Sequence, residues 1–246
     1  MSLLEVRNLG MRFGGLLANY GITFSLEAGE LVGLIGPNGA GKSTLFNCIA
    51  GMYAPTEGSV WFKGKEVTGL PPYRMARMGL ARTFQVYAAT GDLNVRENVM
   101  VGSFARVRSR SEAMARAQGL MEKMRLDEVA SERVANLPIA AQKRVVMATA
   151  LATEPALLLL DEVAAGLNQT EIDQMVEVIR WVHSELKITV LLIEHVMELV
   201  MNLSHRVLVL DSGRLIAEGQ PAKIVRSPEV IRAYLGERYA STNSHG

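Results

Sequence analysis

The sequence predicts an α/β fold in which helices cover a mainly parallel sheet, and two observations favour it. In the C-terminal half, helical patterns alternate with short apolar runs of strand length. Such alternation is typical of parallel strands joined by crossover helices. Nearer the N terminus, the apolar run Leu31–Ile35 precedes a glycine-rich turn and then a helical pattern over 44–50. This order indicates a strand, a loop and a helix.

The N-terminal third carries several other short runs with strand character. They cover 3–6, 22–26 and 60–62, and the last is followed by the turn-like sequence Lys63-Gly64-Lys65. Apolar and aromatic residues interrupted by glycine turns are typical of short strands. We therefore predict a strand-rich region around the glycine-rich turn.

The pattern changes between about residues 86 and 140. Apolar side chains recur at helical spacing after Ser111 and Glu112, a plausible helix start: Met114, Ala117, Met121 and Met124. This segment predicts a helical subdomain inserted into a single domain that spans 1–246.

Beyond the insertion, helices and strands alternate to the end of the chain. Helices are predicted over 143–152, 172–186 and 196–203, and strands over 157–160, 188–193 and 206–210. A last short helix begins at Pro228 and ends near Leu235. A flexible tail is predicted over 236–246, since 240–246 is small and polar.

Composition excludes several classes of protein. The 246 residues carry a formal net charge of +1, without the long basic block of a nucleic-acid-binding chain. Although 49% of the residues are hydrophobic, no apolar run is long enough to span a bilayer. The N terminus lacks the pattern of a secretory signal. The one cysteine, Cys48, is predicted to be a buried core thiol. We expect a cytosol-facing protein.

The glycine-rich turn matches the phosphate-binding pattern G-x-x-x-x-G-K-[ST]. Its residues are Gly36, Pro37, Asn38, Gly39, Ala40, Gly41, Lys42, Ser43 and Thr44. Glycines allow backbone amides to curl around phosphates, and the following helix adds the positive end of its dipole. Lys42 would reach the β- and γ-phosphates, and Ser43 would place a hydroxyl on Mg²⁺. The sequence therefore predicts a nucleoside triphosphate site.

Two further strands end in acidic residues. The apolar run 157–160 ends in Asp161 and Glu162. There Asp161 can hold Mg²⁺ through water, and Glu162 can polarise the water that attacks the γ-phosphate. The run 190–193 ends in Glu194 and His195. At the carboxyl end of a parallel strand, His195 is predicted to sense the γ-phosphate.

With these motifs, the chain resembles the ATP-binding subunits of ABC transporters over essentially its whole length. Gln85 matches the family's Q-loop, His195 its switch histidine, and 165–168 its D-loop, with Asn168 in place of the usual Asp. Phe13 matches the aromatic that stacks on adenine. The resemblance implies ATP and Mg²⁺ as ligands, with Gln85 contacting Mg²⁺ or the attacking water. It also implies an antiparallel N-terminal β subdomain and a helical subdomain.

Several stretches are similar to the ATPases of branched-chain amino acid importers. These are 11–16, 36–39, 81–85, 164–168 and the ending 230–236. The resemblance implies the larger of two different ATPases, bound to two membrane permeases and served indirectly by a periplasmic solute-binding protein. It places the chain peripherally on the cytoplasmic face of the inner membrane, with no nucleic acid partner.

One stretch departs from the family pattern. Where a signature near Leu-Ser-Gly-Gly-Gln would open a helix toward the nucleotide of the opposite subunit, 137–144 reads Leu-Pro-Ile-Ala-Ala-Gln-Lys-Arg. Pro138 replaces a hydroxyl donor, Ala140 stands at the second glycine, and Ala141 at a usual Gln or Glu. Val163 likewise replaces a family proline. These changes fit either drift in a working subunit or an asymmetric dimer with one weak site.

The sequence is compatible with other functions. A soluble ABC ATPase of DNA repair or translation would usually carry two cassettes or a long coiled-coil insertion, and this chain has neither. An ATPase of lipid or lipopolysaccharide export shares much of the pattern. A catalytically weak subunit of an asymmetric dimer would explain Ala140 and Val163.

Overall fold

The structure is a computed structural model that describes residues 2–83 and 92–235. The chain divides into two units, one formed by Met1–Pro72 with Thr189–Gly246 and the other by Tyr73–Ile188. The single domain 1–246, its insertion at 86–140 and its tail at 236–246 stay predictions.

The described residues form ten strands and nine α-helices. The strands are β1 (Ser2–Phe13), β2 (Leu16–Glu27), β3 (Leu31–Ile35), β4 (Glu57–Phe62), β5 (Lys65–Glu66), β6 (Leu80–Arg82), β7 (Leu157–Asp161), β8 (Thr189–Ile193), β9 (Arg206–Asp211) and β10 (Arg214–Gly219). The helices are α1 (Lys42–Ile49), α2 (Pro72–Met78), α3 (Val95–Ser103), α4 (Arg110–Lys123), α5 (Ile139–Ala152), α6 (Gln169–Ser184), α7 (Met197–Leu203), α8 (Pro221–Ile224) and α9 (Pro228–Leu235).

In the first unit, an antiparallel sheet has the strand order β2-β1-β4-β5. The strands β1 and β2 form a hairpin in which Phe13 pairs with Leu16 across Gly14 and Gly15. Gly14 has a φ of 55°, the positive value that tight hairpin turns require. Both strands run well beyond the predicted 3–6 and 22–26, because pairing between them continues to the turn.

The same unit holds strands in the order β10-β9-β3-β8, with β3 parallel to both β8 and β9. All residues of β3 and β8 are buried, as expected for parallel strands with both faces covered. A Cβ at Gly33 would lie 2.4 Å from Cγ1 of Val200 on α7. The glycine thus lets α7 pack directly on β3.

In the second unit, β6 and β7 pair in parallel, with Arg82 opposite Leu159. Helix α4 buries Ala113, Ala117 and Met121, so the predicted helical pattern is confirmed, although Met114 is exposed. A Cβ at Gly102 would lie 2.1 Å from the carbonyl oxygen of Thr149, which shows how closely α3 approaches α5.

The predicted α/β fold is confirmed, with its antiparallel N-terminal sheet, its mainly parallel second set of strands and its helical segment. Within the described ranges, no helix has the length and hydrophobicity that crossing a bilayer demands. Cys48 is buried, and burial raises the pKa of its thiol to about 11. The thiol is therefore protonated near neutral pH, as befits a core residue.

Candidate nucleotide-binding site

The predicted phosphate loop connects β3 to α1. Gly36 has a φ of 153°, and a Cβ there would lie 2.1 Å from the carbonyl oxygen of Leu210. Gly41 has a φ of 95°, and its Cβ would lie 2.5 Å from the carbonyl oxygen of Ala18. These two positions require glycine because backbone from β9 and β2 closes on the loop from outside.

The ammonium group of Lys42 lies over the backbone of the phosphate loop. Lys42 is 6% exposed, and its Nζ donates hydrogen bonds to the carbonyl oxygens of Gly36 at 2.7 Å and Pro37 at 2.9 Å. Ser43 is exposed in the first turn of α1. Among the described residues, no acidic side chain occupies that turn and no side chain caps it. The positive end of α1 thus suits an anion.

Three contacts that the sequence did not predict fix the loop. The Nδ2 of Asn19 donates to the carbonyl oxygen of Gly41 at 3.2 Å, and Gly213 N–H donates to that of Ala40 at 3.0 Å. Tyr234 on α9 forms a hydrogen bond with the Gly36 backbone, while burial raises the pKa of its hydroxyl. The one available signal was Asn19, a polar residue just before the predicted strand 22–26, whose side chain is fully buried.

His195 follows β8 at the same sheet edge as the loop, since β3 and β8 are parallel and Leu34 pairs with Ile193. Its side chain is exposed, whereas the neighbouring Glu194 is only 2% exposed. The backbone N–H of His195 donates to the Glu194 carboxylate at 3.3 Å. This edge therefore presents an imidazole to solvent close to a buried carboxylate.

Phe13 ends β1 and is 41% exposed. Its ring meets Tyr53 edge to face, with centroids 5.4 Å apart and planes at 80°. Because Phe13 is exposed and packs edge to face on Tyr53, a face of an aromatic ring remains on which a flat base can stack.

In the second unit, Asp161 ends β7 and is buried. The Nη2 of Arg82 donates to its Oδ2 at 2.7 Å, and its backbone N–H donates to Oγ1 of Thr83 at 3.3 Å. Its Oδ1 is buried without a hydrogen-bond partner in the described part of the chain. A buried carboxylate oxygen of this kind fits a hard cation or its bound water.

Glu162 has a φ of 49°, a left-handed conformation that is uncommon for residues other than glycine. Its carbonyl oxygen accepts a hydrogen bond from Nζ of Lys143 on α5 at 2.8 Å. The backbone strain at this position sharply changes the chain direction after β7 and leaves the side chain half-buried. Strain held by its surroundings is a feature of functional sites. Gln85 lies outside the described residues.

The departing stretch opens α5. Pro138 occupies the N-cap position, and among the described residues no side chain caps this helix. Ile139 is exposed, whereas Ala140 and Ala141 are each 7% exposed. Most of the Ala140 side chain is therefore covered within the chain.

Comparisons with known proteins agree with these features. Residues 20–165 match the family model described as ABC transporter, and residues 214–240 match that of the branched-chain amino acid ATP-binding cassette transporter. The chain is similar to the nucleotide-free structure of an ATP-binding cassette from an ABC transporter. The TM-score is 0.87 at 28% identity, over 96% of this chain and 100% of the other.

Two curated relatives cover nearly the whole chain. The high-affinity branched-chain amino acid transport ATP-binding protein BraF of Pseudomonas aeruginosa is 41% identical over 96% of this chain and 98% of its own. LivG of Escherichia coli K12, described in the same words, is 42% identical over the same shares. The chain therefore belongs to the ATP-binding proteins of ABC transporters, in the branched-chain amino acid transport group.

Proposed function

We propose that this chain is the ATP-hydrolysing subunit of an ABC importer for branched-chain or closely related amino acids. The observation that carries the proposal is the 41–42% identity, over 96% of the chain, to two high-affinity branched-chain amino acid transport ATP-binding proteins. The separate match of residues 214–240 to the branched-chain type supports it, because generic ABC motifs lie elsewhere in the chain.

In the first unit, the loop residues 36–44 bind the triphosphate through backbone amides and the start of α1. Lys42 neutralises the β- and γ-phosphates, Phe13 stacks on the adenine, and His195 stabilises charge that develops on the γ-phosphate. The exposure of Phe13 and His195 and the absence of acidic groups in the first turn of α1 support these roles.

In the second unit, Glu162 orients the attacking water and accepts its proton. Asp161 would help to hold Mg²⁺, which when bound neutralises phosphate charge, and Gln85 is a further predicted ligand. In the first unit, Ser43 would present its hydroxyl to Mg²⁺. The fit of the second unit to a divalent cation rests on Asp161, whose Oδ1 is buried and lacks a partner among the described residues.

The output of the reaction is mechanical. Two ATPase subunits close on two ATP molecules, and loss of the γ-phosphates reopens the pair. Membrane permeases convert this cycle into transport, so the chain acts peripherally on the cytoplasmic face of the membrane. A periplasmic binding protein delivers the solute.

The proposal is tested by uptake of radiolabelled leucine in cells that lack the chain. Wild-type chain should restore high-affinity uptake, and a Glu162→Gln variant expressed at the same level should not. If the deletion strain takes up leucine normally and accumulates a lipid precursor, the importer proposal is wrong and the chain serves an exporter.

A second candidate, a subunit with one weak composite site, is favoured by the start of α5. Ala140 stands in the first turn where the family has its second glycine, and Val163 replaces a family proline after β7. Within the described residues no side chain caps α5. The chain's own loop and carboxylates would still support hydrolysis when a partner supplies a complete signature.

A further inference from the structure

We propose that Arg82 is the positioning residue of the metal-binding carboxylate: it holds Oδ2 of Asp161 so that Oδ1 is directed to the divalent cation. This inference rests on the proposed function, in which Asp161 binds Mg²⁺. It assigns a role to an arginine that the motifs of the phosphate loop and of β7 do not include.

The ion pair is deeply buried. The Nη2 to Oδ2 distance is 2.7 Å, and the side chains of Arg82 and Asp161 are 8% and 2% exposed. A carboxylate removed from water is unfavourable unless a charge or several donors compensate it. The guanidinium supplies that charge to the buried carboxylate.

The two carboxylate oxygens have different surroundings. Oδ2 accepts the hydrogen bond from Arg82, whereas Oδ1 is buried and has no hydrogen-bond partner in the described ranges. Fixing one oxygen removes rotation about the bond to the carboxyl group. Mg²⁺ demands near-ideal octahedral geometry, so a carboxylate already oriented binds it with less loss of freedom.

The backbone holds the pair in register. Strands β6 and β7 are parallel with Arg82 opposite Leu159. The next residue, Thr83, donates its N–H to the carbonyl oxygen of Leu159 at 2.9 Å and accepts the N–H of Asp161 on its Oγ1 at 3.3 Å. Because Thr83 is hydrogen-bonded to both Leu159 and Asp161, the backbone next to Arg82 is fixed beside the strand that carries the carboxylate.

The test compares metal affinity with nucleotide affinity. Binding of Mn²⁺ to the purified chain with saturating ADP is measured by electron paramagnetic resonance, and ADP binding without divalent metal by calorimetry. Variants are Arg82→Lys, Arg82→Gln and Asp161→Asn. Arg116→Gln, which breaks an exposed ion pair with Glu154 in the same unit, is the matched control.

We expect Arg82→Gln to weaken Mn²⁺ binding by about 10- to 100-fold, the usual effect of losing a residue that orients a metal ligand. Arg82→Lys should recover part of this loss, since it keeps the charge but not the planar donor. Metal-free ADP affinity should stay within about twofold, and Arg116→Gln should match wild type.

The outcomes separate the two proposals. If Asp161→Asn weakens Mn²⁺ binding and the Arg82 variants do not, Arg82 is a structural partner only and this inference is wrong. If Asp161→Asn also binds Mn²⁺ normally, the metal role of Asp161 fails as well. Should Arg82→Gln not fold, as judged by thermal unfolding, Arg82→Lys decides: wild-type Mn²⁺ affinity in that variant overturns the inference.

Discussion

Two of the predicted catalytic residues, one in each unit, combine an unusual backbone or burial state with a charged side chain. Glu162 adopts a positive φ, and Lys42 is a buried cation that binds two carbonyl oxygens of its own loop. Both conditions are unfavourable in isolation and persist because neighbouring groups compensate for them. The Lys42 side chain is thereby held before the nucleotide arrives, which reduces the reorganisation that phosphate binding requires.

Glu162→Gln should abolish turnover while preserving nucleotide binding. Glutamine keeps the size of the side chain but cannot accept the proton of the attacking water, so we expect the ATPase rate to fall by about 100-fold or more. Steady-state phosphate release and ATP affinity measure the two effects. The control is Glu177→Gln on the exposed face of α6. If the Glu162→Gln variant retains half of the wild-type ATPase rate, Glu162 is not a catalytic residue.

Lys42→Ala should impair nucleotide binding itself. The change removes the loop's cation and its hydrogen bonds to Gly36 and Pro37, so we expect ATP affinity to fall by about tenfold or more. Isothermal calorimetry measures the loss, and Lys223→Ala on α8, an exposed lysine of the same unit, is the control. Unaltered ATP binding in Lys42→Ala would show that the loop does not bind phosphate through this side chain.

At the scale of elements, helix starts divide into capped and uncapped ones. Helix α6 begins with a capping box in which Asn168 accepts from Glu171 N–H at 3.0 Å and donates its own N–H to the Glu171 carboxylate at 2.9 Å. Helices α1 and α5 show no side-chain cap among the described residues. Helices α4, α7 and α8 also start without a side-chain cap in the described ranges, so the open starts of α1 and α5 do not by themselves mark a phosphate site. Helix α6 uses its cap for stability.

Asn168→Ala should lower the free energy of unfolding by about 1 kcal/mol, because an N-cap hydrogen bond is lost. Asn168→Asp should be nearly neutral, since aspartate caps equally well and favours the helix dipole. Urea unfolding measures both, with Thr170→Ala in the exposed first turn as the control. Equal stability of Asn168→Ala and wild type would mean that the departure from the family's Asp has no structural role.

At the scale of the whole molecule, the chain carries a complete phosphate loop and strand-end carboxylates but an altered signature. An ABC dimer pairs each loop with the signature of the opposite subunit, so two copies of this chain would combine good loops with incomplete signatures. A different ATPase partner would restore one complete site.

The purified chain alone should therefore be a poor ATPase. Adding a partner with an intact signature should raise the rate by about tenfold, the effect of one charge-assisted hydrogen bond to phosphate. Ala140→Gly should recover part of that rate in the isolated chain, because it removes a methyl where glycine lets the backbone approach phosphate closely. Phosphate release is measured for the three samples. High activity of the isolated wild-type chain, unchanged by Ala140→Gly, would identify the altered signature as neutral drift.

The sequence by itself determined the α/β class, the strand, loop and helix around 36–44, the strand that ends in Asp161 and the strand that Glu194 follows. These features depend on consecutive residues, whose periodicity and glycine spacing are visible locally. The same information predicted the buried state of Cys48. It did not reveal β10, the edge strand, whose half-buried residues lack a clear alternation.

Only the tertiary structure decided which distant groups meet. Arg82 and Asp161 are 79 residues apart in the chain, and Asn19 and Gly41 are 22 apart. Their contacts follow from strand order and register, which place backbones side by side without leaving a local pattern. A buried arginine on a short strand looks like any other basic residue until its neighbouring strand is known, because its role depends on the charge beside it and not on the residues before and after it.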